Sequence, residues 1–127
     1  MEKVKALASY LEITADEALE LIDDERYLVL TNKEADQKAR EEIEASLWAF
    51  NPSFLAAHAI PGVDESHFKS LQDNNQCESN TPVIRALIAD LEHFIDDATR
   101  ADGRGHFISH YDGEEIEAGN FLIYRMN

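Results

Sequence analysis

The stretch HFISHYDGEEIEAGNFLIYRM, residues 106–126, decides the fold. Residues 106–111, 114–117 and 121–126 are runs of strand length, and the dipeptides between them, Asp112-Gly113 and Gly119-Asn120, are tight-turn formers. The spacing predicts a small antiparallel meander. Residues 27–30, Tyr-Leu-Val-Leu, form a further strand run, and the remaining periodic segments are helical. The expected class is therefore α+β: helices packed on one face of a small antiparallel sheet, made of the C-terminal meander plus the 27–30 strand, in a single domain over 1–127.

Working outward, Val4, Leu7, Ala8 and Leu11 recur at helical spacing. Thr14 with Glu17 makes a capping box for a second short helix carrying Ala18, Leu21 and Ile22. Thr31 with Glu34 makes another, opening a helix that runs to Phe50, where Asn51-Pro52 stops it. Ala35, Ala39, Ile43, Leu47 and Phe50 form its apolar stripe. Glu34 to Lys38, Asp36 to Arg40, Lys38 to Glu42 and Arg40 to Glu44 stand four apart with opposite charge. Short helices are expected around Phe54–Ala56 and from Asp64 through His67, Phe68 and Leu71, with a polar loop over 73–80. Thr81-Pro82 begins a long helix, Thr81 as cap and Pro82 as first residue; Ile84, Leu87, Ile88, Leu91, Phe94, Ile95 and Ala98 share one face as far as Gly103.

Charge bounds the function. Twenty-six carboxylates against eleven lysines and arginines give a net charge of −15. A protein that holds DNA or RNA gains affinity by putting cations on phosphates, so direct nucleic-acid binding is excluded and a basic partner is favoured. The opening helix pair has the outline of half a DNA-binding helix-turn-helix, but its second helix bears Asp16, Glu17, Glu20, Asp23, Asp24 and Glu25 and would be repelled from a groove. A lone cysteine, Cys77, can form no internal disulfide, has no thiol pair at zinc spacing, and lies beside Glu78, which raises its pKa. With no signal peptide and no membrane-length apolar run, the expected setting is the cytoplasm of a bacterial host cell.

Candidate chemistry is sparse. In Asp102-Gly103-Arg104-Gly105-His106, two glycines flank an arginine that could be presented to a carboxylate or phosphate. Its structural alternative is that Gly103 caps a helix, Gly105 admits the chain to a strand, and Arg104 pairs with Asp102 or Asp112. His106 and His110 share one side of the predicted strand, but four residues at roughly 3.3 Å each is too far for one ion. His58, His67 and His93 are isolated in sequence, so no metal or cofactor is expected. Ser109 and His110 would point to opposite faces, which removes them as a nucleophile and base. No catalytic residue is named, and binding is favoured over catalysis.

Two segments, Tyr27-Leu28-Val29-Leu30-Thr31 with Glu34-Ala35-Asp36, and residues 102–115 closing on Ile123-Tyr124-Arg125, resemble small acidic proteins of bacteriophages, prophages and mobile elements. The resemblance covers the middle and end of the chain and transfers no catalytic residue. It implies a context of accessory phage genes that disable host machinery. Joined to the charge, it gives the expectation of an inhibitor of a host nucleic-acid-binding defence complex, of the anti-CRISPR or antirestriction type, acting as a monomer or homodimer. Its partner would be a basic host protein or nucleoprotein complex, and its contact surface Asp90, Glu92, Asp96 and Asp97 with Asp112, Glu114, Glu115 and Glu117. The alternatives are a small enzyme or ligand-binding protein built on Arg104, His106 and Tyr111, and an oligomeric phage assembly module.

Overall fold

The computed structural model describes residues 2–74 and 78–127; Cys77 and part of the expected 73–80 loop lie outside the described residues. The elements run α1 (Glu2–Leu11), α2 (Ala15–Asp23), β1 (Tyr27–Leu30), α3 (Asn32–Ala45), a 3-10 turn Leu47–Ala49, α4 (Pro52–Ala57) and α5 (Glu65–Asn74). A second 3-10 turn, Glu78–Asn80, leads into α6 (Thr81–Leu87), α7 (Leu91–Asp102), α8 (Arg104–Ile108), β2 (Ile116–Ala118) and β3 (Phe121–Arg125). The class is α+β. The chain divides into two compact units, Met1–Ala39 with Asp102–Asn127, and Arg40–Ala101.

The first unit is built on the strand order β1-β3-β2, antiparallel throughout, with Tyr27 opposite Arg125, Leu30 opposite Leu122 and Ile116 opposite Ile123. β3 is central, and its side chains alternate between faces. Ile123 joins Val29 on one face, packed with Val4 and Leu7 of α1 and Ala18 of α2. Leu122 and Tyr124 turn to the other, against Ala35 and Ala39 of α3 and Ile108 of α8. Helices thus cover both faces of the sheet instead of one, which is why Leu122, Ile123 and Tyr124 are all buried.

Both expected capping boxes are present: Thr14 Oγ1 accepts from Glu17 N–H and Thr31 Oγ1 from Glu34 N–H, with each glutamate carboxylate accepting from its threonine's backbone N–H. The three-stranded meander is not. The first of its expected strands, 106–111, is instead α8 followed by a turn. The chain cannot pass straight through here, because Gly105 is so close to the turn after Ser109 that a Cβ on it would lie 2.5 Å from the Gly113 carbonyl oxygen. Gly105 therefore serves close backbone approach and not strand entry. Gly103, at φ +85°, follows the last residue of α7 as expected.

The second unit corrects the longest expected helix. It is broken between Leu87 and Leu91: Ile88 is extended (φ −85°, ψ 126°), bridges Ala59, and is flanked by Ile60 N–H to Leu87 O and Ala89 N–H to His58 O, both 2.9 Å. Asp90 then starts α7, its Oδ1 accepting from His93 N–H. At the start of α6 the capping residue is Asn80 and not Thr81. The helix expected to reach Phe50 ends at Ala45, where Ser46 turns its hydroxyl back onto Glu42 O at 2.7 Å and the chain tightens into the 3-10 turn.

Gly105→Ala is expected to destabilise the first unit by about 1–3 kcal/mol, the usual cost of overpacking, and Asp90→Ala to cost about 0.5–2 kcal/mol for the lost cap; urea denaturation of each variant measures both.

Candidate functional site

The glycine-flanked arginine is closed off by its own neighbours. Arg104 has five N–H donors, and five acceptors surround it. Nη1 faces Asp36 Oδ1 (2.9 Å) and Asn32 O (3.4 Å), Nη2 faces Asn32 Oδ1 (3.2 Å) and Glu115 Oε2 (3.1 Å), and Nε faces Glu115 Oε1 (3.0 Å). Burial works against its charge, but the hydrogen bonds to Glu115 and Asp36 outweigh it and raise its pKa. The expected partners Asp102 and Asp112 are replaced by acids from α3 and from the approach to β2. Tyr111 is exposed, its ring 3.9 Å from the Arg125 guanidinium, and His106 is exposed and stacks edge-on with Phe107. Arg104 and Tyr111 thus serve different partners and do not form a ligand site together.

The eight acids expected to form one contact surface divide between the units: Asp90, Glu92, Asp96 and Asp97 lie in the second, Asp112, Glu114, Glu115 and Glu117 in the first. Several are already engaged. Arg40 grips Glu92 at 2.5 and 2.6 Å and holds its carboxyl below the usual range. Asp97 meets Arg100 at 3.3 Å and two imidazoles. Glu115 belongs to Arg104. Asp112 accepts from Glu114 N–H at 3.0 Å and lies 2.9 Å from Ser109 Oγ, contacts that lower its pKa. Asp96, Glu114 and Glu117 are exposed carboxylates with no ion pair among the described residues.

A stronger unpaired set lies where the sequence had offered only a helix too acidic for DNA. Glu12, Asp16, Glu20, Asp23, Asp24 and Glu25 are all exposed, and among the described residues none lies within 4.0 Å of a lysine, arginine or histidine nitrogen. Glu12 and Glu25 have φ of +57°, the left-handed conformation that follows the ends of α1 and α2 and that glycine adopts at lowest cost. Beside this hairpin, in the same unit, a groove of about 460 Å³ is walled by Tyr10, Leu11, Tyr27, Ile116 and Ile123 and carries Asp112, Glu114 and Arg125. Arg125 is occupied there by the Tyr111 ring and by the Asn127 carbonyl, to which its Nε donates at 2.9 Å.

In the second unit, His58, His93 and Asp97 bring one ligand atom each within 4.8 Å of one another, a set of residues able to hold a metal ion. His58 and His93, isolated in sequence, are joined by the fold; only the four-residue spacing of His93 and Asp97 is visible in the chain. No protein-family model, curated protein or solved structure matches the chain. Among the described residues no helix is long and apolar enough to cross a membrane.

The Tyr124 hydroxyl donates to Glu115 Oε1, and burial together with that carboxylate pushes the phenol well above its ordinary value of about 10. An unfolded tyrosine ionises first, so the stability contributed here is complete below about pH 10 and is lost as pH rises further. The stability gap between wild type and Tyr124→Phe is expected to hold up to about pH 10 and to narrow above it, which urea midpoints on both sides of that pH measure.

Proposed function

We propose that the protein works by protein–protein binding, its anionic first unit docking onto the cationic surface of a nucleic-acid-handling protein and competing there with DNA or RNA. In the phage context that the sequence resembles, the partner is a host defence complex. The observation that carries this is the run of exposed, unneutralised carboxylates from Glu12 to Glu25 beside a groove with tyrosine walls and carboxylates. Each component has a use against a basic partner. The helix carboxylates attract it over distance and speed encounter. The Tyr10 and Tyr27 rings with Glu114 suit a lysine or arginine side chain, which a ring face attracts and a carboxylate neutralises.

Helix-end chemistry supports the same reading. A left-handed conformation costs an L-residue roughly 1–2 kcal/mol, and the positions after α1 and α2 carry glutamate where glycine would relieve it. A side chain at these two positions, whatever its charge, works against backbone stability, which fits residues that serve a contact outside the chain.

The immobilised protein is expected to retain DNA- or RNA-binding proteins from bacterial extract at about 0.1 M salt and to release them near 1 M, where the screening length falls from about 10 to about 3 Å. Added duplex DNA should release them too. Glu20→Lys and Glu114→Lys should each weaken capture roughly tenfold or more, since a like-charge contact costs up to several kcal/mol. Capture indifferent to salt, nucleic acid and both reversals defeats the reading.

A further inference from the structure

We infer that His58, His93 and Asp97 form a binding site for a divalent first-row transition metal, with zinc as its best occupant. The inference concerns the second unit and is independent of the partner proposed for the first.

The donor atoms already stand at coordination spacing. His58 Nε2 lies 3.2 Å and His93 Nε2 3.4 Å from the same oxygen, Asp97 Oδ2, and one donor atom from each of the three residues falls within 4.8 Å of the others. Zinc holds imidazole nitrogen and carboxylate oxygen at about 2.0–2.2 Å in a tetrahedron, whose edge is then about 3.3–3.6 Å. The two nitrogen-to-oxygen separations match that edge, so an ion could be seated with small side-chain rotations. Two nitrogens and one oxygen suit zinc and its neighbours, and do not suit magnesium or calcium, which take oxygen shells.

The scaffold is fixed from three directions. His93 and Asp97 stand four apart on α7 and so share one face of it. His58 follows the last residue of α4 and cannot drift, because its carbonyl accepts from Ala89 N–H and Ala59 bridges Ile88. The break that interrupts the α6–α7 run is therefore what brings His58 over the first turns of α7. Aromatic rings hold the imidazole itself: Phe54 at 5.3 Å, Phe94 at 5.2 Å and His93 at 5.1 Å between centroids. Its side chain is 7% exposed.

Around the donors, Arg100 takes the other carboxylate oxygen, Asp97 Oδ1, at 3.3 Å, leaving Oδ2 to the imidazoles, and orients the ligand as outer partners of metal sites do. The His93 side chain is 64% exposed, so the site opens to solvent on that side. Three protein ligands leave a fourth position for water or for a group brought by another molecule, as in zinc sites that act on a ligand and unlike closed structural ones.

The test uses the full chain freed of metal with a chelator and titrated with zinc chloride, then with cobalt chloride. Expected are one zinc per chain, a rise in melting temperature on loading, and the visible absorption of four-coordinate cobalt. His93→Gln, at an exposed position, keeps the fold and should weaken zinc binding at least tenfold, as should Asp97→Asn; His106→Ala and His67→Ala should leave it unchanged. Circular dichroism verifies folding of each variant, and His93→Gln and Asp97→Asn report separately should either fail to fold. Absence of saturable one-to-one binding overturns the inference, as does binding that survives both ligand variants or is lost with His106→Ala. In the first case the cluster is a metal-free pair of imidazoles sharing one carboxylate.

Discussion

Eleven cations must serve twenty-six carboxylates, and where the fold puts those few cations governs the rest of the structure. Arg104 stands where α3, α8 and the approach to β2 converge, and there it balances Asp36 and Glu115 while Glu115 also receives the Tyr124 hydroxyl. Without that cation the half-buried Glu115 would be left with no cation beside the buried Tyr124, at a cost that grows as water is excluded. Arg40 has the same part in the second unit, between Glu92 and Glu44. Among the described residues no cation forms an ion pair with the Glu12 to Glu25 segment, and its carboxylates go unneutralised.

Local chemistry was legible where it was self-contained. A capping box closes within four residues, so Thr14 with Glu17 and Thr31 with Glu34 could be read directly, and so could Tyr27–Leu30, whose β-forming side chains agree with their place beside β3. Legibility failed where a distant segment decided the outcome. Ile84, Leu87, Ile88 and Leu91 continue a helical period without interruption, and the break at Ile88 is imposed by pairing with Ala59, 29 positions earlier. Phe107 and Ile108 favour strands, but they lie in α8, where Gly105 packs closely against the Gly113 carbonyl. Tertiary contact overrides propensity in both places.

Side-chain pairing on α3 follows the same division. Opposite charges four apart suggested pairs along the helix, and Arg40 with Glu44 makes one at 3.6 Å. Glu34 instead takes Lys3 of α1 at 2.7 Å, and Asp36 takes Arg104. Periodicity along one helix cannot register a cation that arrives from another element. The acids of α7 are a further case: Arg40 of α3 takes Glu92, a pairing that a count of charges along α7 does not register. The acids of α2 have no such visitor.

Asp90 shows how position can assign a residue to structure while its charge suggests binding. It is exposed and acidic, as a contact residue should be, yet its carboxylate closes the first turn of α7 and its backbone oxygen accepts from Phe94 N–H. A cap at this point fixes the start of α7 directly after the bridge that places His58, so the orientation of His93, two residues into the helix from its first residue, depends on it. Chain reversal at Ile88, the cap at Asp90 and the convergence of His58, His93 and Asp97 are successive results of one strand-like contact between Ala59 and Ile88. An acid at position 90 thus shapes the imidazole cluster through backbone geometry and not through its own charge.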